Sequence, residues 1–411
     1  MKDYLISGLD IGSSNIRLAV AQKIKGSQKI EMLGTVSCPS SGIRRGAITD
    51  IQGVASSIKS VLEEVERTIG KTISRIYVNI GGSHILTTKN RGVVVISRAD
   101  GEISQEDVNR VILGAEAISL PKNREIIHVV PQEFIIDEER GIKDPLGMHG
   151  IRLEVEALII HGSASFLKNF NKCLEEAGLK IEDTVISPLS SARAVLSKRQ
   201  KELGVAMLDI GGGTTGMAVF EEGDLLHTAI LPLGSSHITS DIAIGLQIDI
   251  DVAERLKVEY GSAMSSEIPK TEKIEFSKVD SGEGEFSRRE IAGIIEARLY
   301  EIFDMANKEL NKIGKASLLP AGAVITGGGS KLPFLVDLAK KVLKLPCQIG
   351  FPQESEFGGI IDKINDPSFA STAGLLLWGK DALEREKEGR FSLSGVGFGA
   401  RVRKIFKTFL P

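Results

Sequence analysis

Apolar positions along this chain follow two periods. Short β-type runs recur, and between them lie stretches with the 3.6-residue spacing of a helix face. Two runs share one layout: Ile6 to Val20 reads ISGLDIGSSNIRLAV, and Val205 to Phe220 reads VAMLDIGGGTTGMAVF. Each is an apolar run ending in aspartate, a cluster of small residues and a second apolar run, which predicts a strand–turn–strand hairpin. Lys29 to Ser37 and Arg75 to Ile80 predict further strands, the latter ended by Gly81-Gly82. Between them, Ile51, Val54, Ala55, Ile58, Val61, Leu62 and Val65 share one helical face, with Asp50 as N-cap.

A second module begins at Ser83-His84. Its expected elements are a strand at Val93 to Ile96, a helix through Ser119, a strand at His128 to Ile136 and an alternating strand at Arg152 to Ile160. Ser104 caps the helix, and Asp107 three residues on approximates a capping box. The module reads as an αβ insertion without a catalytic signature.

After it, Ser165 to Gly178 predicts a helix with Gly178 at C′, and Lys180 to Ile186 a strand. A helix then starts with Ser187 at the cap and Pro188 at the first helical position. The main domain boundary is expected at Lys198 to Gly204. Beyond the second hairpin, Thr228 to Leu233 is a strand leading to Gly234-Ser235-Ser236. Helices are expected at Ser240 to Leu246, Ile250 to Tyr260, Ser287 to Ile313, Pro333 to Leu343 and Phe369 to Trp378, with Gly261 to Glu285 polar and irregular. Ala323 to Thr326 is a strand followed by the turn Gly327-Gly328-Gly329. From Asp381 the chain turns polar, and from Gly389 it is rich in Gly and Ser.

With 411 residues, two or more domains are expected. Net charge is −3, so no basic excess points to nucleic acid. Cys38, Cys173 and Cys347 are far apart, which fits free thiols in a reducing compartment. Neither a signal-peptide core nor a run of about 18 apolar residues occurs, so the expectation is a cytoplasmic protein without a membrane span. The six histidines form no HExxH or Cys/His cluster and read as structural.

The candidate chemistry starts with the repeated turn. Glycines there aim backbone N–H groups at one point, an anion nest, unless they serve only the turn. The repeat suggests an internal duplication closing around one ligand. Two carboxylates converging on one spot, Asp10 and Asp209, repel unless a cation lies between them, which implies Mg²⁺. A further glycine turn, Val324 to Pro333 (VITGGGSKLP), is weak evidence by itself. Glu254 and Lys257 share a helix face and pair by default on a solvated surface. Finally, Arg401 to Pro411 carries Val402, Ile405, Phe406, Phe409 and Leu410 at helical spacing among Arg401, Arg403, Lys404 and Lys407. That is an amphipathic cationic helix suited to an anionic bilayer surface, or one docked on the protein's own body.

The paired turns resemble the two phosphate loops of the superfamily that holds actin, heat-shock chaperones and sugar kinases. The resemblance implies an α/β, actin-like (ribonuclease H-like duplicated) two-domain ATP-binding fold. By it, Gly12, Ser13, Ser14, Gly211, Gly212, Gly213, Thr214 and Thr215 would cradle the β- and γ-phosphates, and Gly234 joins the nucleotide-binding set. Arg17 stands where related proteins often have a phosphate-contacting lysine, or is a solvated strand residue. Gly327, Gly328 and Gly329 would form the adenosine loop with Lys331 over the base, and Glu254 and Lys257 would contact the ribose. Sugar or acetate kinases, heat-shock chaperones and pilus-assembly proteins share this fold and are the rival readings.

Three segments narrow the resemblance: Ile127 to Glu154, Gly34 to Asp50 and Gly81 to Ile85. These look like the FtsA family of bacterial cell-division proteins, over essentially the whole chain. That implies an actin-like body at 1–83, 163–198 and 357–385, with an inserted family-specific subdomain at 84–162. It further implies subdomains at 199–240 with 312–356 and at 241–311, a linker at 386–400 and a membrane-targeting helix at 401–411. It also implies ATP and Mg²⁺ as cofactors, at most slow hydrolysis, head-to-tail self-assembly, and attachment to the cytoplasmic face of the membrane at the division site. The partners implied are the C-terminal peptide of the tubulin-like protein FtsZ, expected at Arg289, Arg298 and Glu301, and other division proteins.

Overall fold

A computed structural model describes residues 4–24, 26–275, 277 and 284–387. The expected membrane helix, including Arg401, Val402, Arg403, Lys404, Ile405, Phe406, Lys407, Phe409 and Leu410, lies outside the described residues.

The two hairpins nucleate two sheets of the same plan. In the first half, Tyr4–Ile11 pairs antiparallel with Asn15–Lys23 and parallel with Arg75–Ile80. Lys180–Ile186 lies outside the latter, and Ile30–Pro39 and Phe357–Gly359 complete six strands at the other edge. In the second half, Val205–Ile210 pairs antiparallel with Thr215–Glu221 and parallel with Ala323–Thr326; Asp224–Leu231 and Cys347–Ile349 make five strands. Asp10 and Asp209 therefore occupy equivalent places near the ends of their strands. A parallel sheet opens its ligand crevice at the carboxyl ends of its strands.

Helix packing follows the apolar stripes. Ile51–Ile69 buries Val54, Ala55, Ile58, Val61, Leu62 and Val65; Asp50 accepts from Gln52 N–H, and Gly70 ends the helix with φ 67°. Arg288–Lys312 fills the second core with Ile291, Ile295, Leu299, Ile302, Phe303 and Ala306. The insertion has a core of its own. Leu86–Val95, Arg152–Ser163, Arg124–Ile136 and Glu139–Ile142 form an antiparallel sheet under the helix Gln105–Glu116. Val108, Val111, Phe134 and Val155 are buried between them, and Ser104 with Asp107 makes a full capping box.

Under the cleft, Ser187–Val195 crosses Ala370–Lys387. A Cβ on Gly374 would lie 1.7 Å from the carbonyl oxygen of Ser190, so the two backbones touch. Trp378 is fully buried, and its indole N–H donates to Asp183 Oδ2 at 3.1 Å.

Several expected boundaries move. Ser187 is the first helical residue rather than the cap: its hydroxyl oxygen accepts from Asn79 Nδ2 at 3.2 Å while its proton goes to Ile80 O at 3.2 Å, and it makes no cap bond. Residues Lys198–Leu203, for which no element was expected, form a short helix behind a Ser197–Gln200 capping box. The helix expected at Ser240 starts at Ser235, and the last described helix runs on to Lys387. There Lys380 is buried and pairs with Glu356 at 2.6 Å, and Asp381 pairs with Arg193 at 2.8 Å. Part of the supposedly irregular Gly261 to Glu285 pairs as the strands Lys273–Glu275 and Glu285–Ser287.

Candidate functional site

Each glycine turn closes with the same bond. Gly12 N–H donates to Asn15 O at 3.1 Å, and Gly211 N–H donates to Thr214 O at 3.0 Å. A Cβ at Gly12 would sit 2.7 Å from Asn15 O, so the turn requires glycine there. Among the described residues no protein acceptor takes the N–H groups of Ser13, Ser14, Gly212 and Gly213. Free backbone donors in consecutive positions make an anion cradle.

The two turns meet. Ser14 Oγ lies 3.2 Å from Ser236 Oγ, and a Cβ at Gly212 would fall 1.9 Å from Ser14 Oγ. Ser235 and Ser236 N–H donate to Gly211 O and Gly212 O at 2.8 Å, which seats the head of the helix Ser235–Leu246 on the second turn. Together these segments wall a cleft of about 740 Å³, within the usual size range of small-molecule sites.

Asp10 and Asp209 both line this cleft. Asp10 accepts from Asn79 Nδ2 at 2.5 Å and lies 3.7 Å from Arg17 Nη1. Burial raises its pKa against the opposing pull of Arg17 and Asn79. Asp209 accepts from Ser191 Oγ at 2.5 Å; burial pushes it up to about 6, and the charge of Asp10 adds to the push. The cleft thus holds two carboxylates whose charged forms are disfavoured, a setting that a cation relieves.

Asn79 organises the floor. Its amide nitrogen also reaches Ser371 Oγ at 2.8 Å and Ser187 Oγ at 3.2 Å, while its oxygen accepts from Ile11 N–H at 2.9 Å. Asn79, Ser187, Ser191 and Ser371 were not expected as site residues. The available signal was Asn79 itself, an amide side chain within the apolar part of the RIYVNI run, near the strand end that opens on the crevice.

Of the residues singled out from the sequence, Gly12, Ser13, Ser14, Arg17, Gly211, Gly212, Gly213 and Thr214 line the cleft, as do Glu254, Lys257, Gly327, Gly328, Gly329 and Lys331. Arg17 also stands over the Phe369 ring at 5.6 Å. Lys257 is buried, donating to Glu254 Oε2 at 2.6 Å and Thr239 Oγ1 at 2.8 Å. Lys331 pairs with Asp366. Two residues stand differently. Thr215 is fully buried and spends its hydroxyl on Leu233 O at 2.8 Å. Gly234 lies behind the wall, where a Cβ would meet Gly211 O and Gly212 O at 2.5 Å; its role is to let the two loops stack.

Comparison with known proteins decides the family. The model "Cell division protein FtsA" matches residues 206–374, and the "SHS2 domain inserted in FTSA" matches residues 82–161. The cell division protein FtsA of Neisseria meningitidis is 38% identical over 90% of this chain and 89% of its own. That of Pseudomonas aeruginosa is 33% identical over 96% and 94%. This chain belongs to the FtsA family.

FtsA membership makes it a cell-division protein, and the inserted sheet with its helix is the SHS2 domain of that family. The fold is actin-like. A chain of the PilM-PilN type IV pilus biogenesis complex superposes with TM-score 0.66 at 18% identity, over 91% of this chain and 98% of that one. MreB5 of Spiroplasma citri bound to ADP gives 0.54 at 12% identity, over 93% and 98%. The FtsA residues expected to meet a partner lie away from the cleft. Arg289 is on the first turn of Arg288–Lys312, and Arg298 grips Asp241 through two bonds of 2.6 and 2.9 Å and also pairs with Glu301.

Proposed function

We propose that this protein binds ATP with Mg²⁺ in the cleft, self-assembles in that state, and tethers FtsZ filaments to the cytoplasmic face of the membrane. The observation that carries the reading is the convergence of two unsatisfied glycine turns and two raised-pKa aspartates on one cavity. The residues fit the nucleotide. Free N–H donors suit phosphate oxygens, and Gly327, Gly328 and Gly329 line the same cavity, where the base would lie. Asp10 and Asp209 would hold Mg²⁺. When bound, the ion neutralises phosphate charge.

Hydrolysis is at most slow in this reading. The carboxylates nearest the turns are engaged, Asp10 by Asn79 and Asp209 by Ser191, while Glu254 is tied to Lys257 and Thr239. A tether needs a nucleotide-dependent shape more than turnover.

Among the described residues no helix is long and apolar enough to cross a membrane. Attachment is assigned to the segment 401–411, whose apolar side chains contribute about 1.5–3 kcal/mol each before ordering costs and whose cations add about 1 each. One helix therefore binds reversibly, and assembly multiplies it. FtsZ is expected to engage the Arg289, Arg298 and Glu301 face; neither nucleic acid nor a small-molecule phosphoryl acceptor is part of the function. The test is co-sedimentation of labelled FtsZ with anionic vesicles. The protein with ATP should carry FtsZ down with the vesicles, and FtsZ left in the supernatant would defeat the tether.

A further inference from the structure

The segment Ser40 to Asp50, singled out in the sequence but given no task above, folds into a small hairpin over the cleft. Ile43–Arg44 pairs with Ala47–Ile48, and Thr49 and Asp50 N–H both donate to Gly42 O, closing its base. Ile43, Gly46 and Ile48 line the cavity.

Its tip is fastened to the first half. Gly46 N–H donates to Ser13 Oγ at 2.9 Å, and a Cβ on Gly46 would lie 2.7 Å from Gly82 Cα. The tip also touches the second half. A Cβ built on Gly213 would sit 2.9 Å from Arg45 Cα, so Arg45 rides directly on the second glycine turn. Arg45 holds φ at 51°, a left-handed conformation uncommon for arginine. Its side chain is exposed, and among the described residues no carboxylate pairs with it.

Hydrogen-bond donors lie beside Arg45. The turn beside it presents the unused N–H groups of Gly212 and Gly213. The helix Ser235–Leu246 points its N-terminal, dipole-positive end toward the same gap. His237 on that helix is held below its ordinary pKa by burial and then by the charges of Arg45 and Arg298. The Arg45 backbone, the free amides of the second glycine turn and the helix head thus lie together at one edge of the cleft, a grouping of donors suited to an anion.

We propose that Arg45 contacts the terminal phosphate of a bound nucleoside triphosphate, so that the hairpin Ile43–Ile48 distinguishes ATP from ADP. Resting on the nucleotide reading above, this adds a specificity residue. The guanidinium binds the phosphate that ADP lacks, and the hairpin links that phosphate to Ser13 on one side and Gly213 on the other. The triphosphate thus ties the two halves at the edge of the cleft.

The experiment measures ATP and ADP affinity by calorimetry, with Mg²⁺, for the full chain, Arg45→Ala and Arg44→Ala. A charge-assisted contact to phosphate predicts that Arg45→Ala weakens ATP about 10- to 100-fold. ADP affinity should stay within about threefold, which also shows that the cleft is intact. Arg44→Ala, on the same hairpin, should leave both affinities unchanged. Equal losses for ATP and ADP in Arg45→Ala, or no loss for either, overturn the proposal and leave the nucleotide site standing. If the unmodified chain binds neither nucleotide, the nucleotide reading fails and takes this one with it.

Discussion

Ser14 and Ser236 stand hydroxyl to hydroxyl, 3.2 Å apart, although 222 residues separate them in the chain. One belongs to the glycine turn of the first half, the other to the helix head seated on the turn of the second. Where they meet, Gly212 has no space for a side chain. Gly212→Val should therefore push the turns apart and weaken ATP binding at least about tenfold, while changing unfolding free energy by less than about 1 kcal/mol, because the clash faces a cleft rather than a core. Calorimetry and urea unfolding on the same variant separate the two effects.

Asp209→Ala should remove the dependence of ATP binding on Mg²⁺. In the unmodified protein, chelating the ion should weaken ATP binding severely; in the variant, binding should already be weak and indifferent to chelation. Unchanged affinity in the variant would exclude Asp209 from the site.

The raised pKa of Asp209 has a stability signature. A carboxyl that titrates near 6 when folded and near 3.8 when unfolded holds its proton more tightly in the folded state. Its stabilising contribution is full below about pH 4, declines between pH 4 and 6, and is absent above. At about 1.4 kcal/mol per pH unit the span is on the order of 3 kcal/mol, reduced to about 1–2 because the group borders the open cleft. Asp209→Asn should abolish this slope. Urea unfolding of both proteins without Mg²⁺, at several pH values from 4 to 7.5, gives the difference directly; parallel curves would contradict the assignment.

Asn79→Ala should act on the fold as well as the site. It strips Asp10, Ser371 and Ile11 N–H of a buried partner at once. Unsatisfied groups of this kind cost about 1–3 kcal/mol each before relaxation, so a total loss of about 2–4 kcal/mol is expected in the nucleotide-free protein. A loss below about 1 kcal/mol would mean that water replaces the amide freely.

Deleting residues 401–411 should release the protein from anionic vesicles while leaving ATP affinity unchanged. Continued pelleting of the shortened chain would assign membrane attachment to another surface.

The repeated Leu-Asp-Ile-Gly turns, the stripe of Ile51–Ile69 and the capped helix at Ser104 were legible because each is a local pattern set by one element's own geometry. The floor of the cleft was not. Asn79 meets Asp10 across 69 residues and Ser371 across 292, and no local period marks such a meeting. Ser187 departs from expectation for a related reason, since a serine before proline suits a cap until Asn79, 108 residues away, donates to its hydroxyl oxygen. The end of the last helix was misplaced because Lys380 and Arg385 look like surface residues, yet both are at least partly buried and Lys380 is paired with Glu356. Thr215 shows the converse: a residue of the right type beside the right glycines, turned inward by strand alternation.

The helix that contributes Ser371 to the cleft floor is the last one described, running from Ala370 to Lys387. At 1.5 Å per residue it spans about 27 Å. A tilt of about 5° at the Ser371 end would sweep the Lys387 end through roughly 2 Å over that span. The helix thus joins the Asn79 floor of the cleft to Lys387, so that a displacement at one end would be carried to the other.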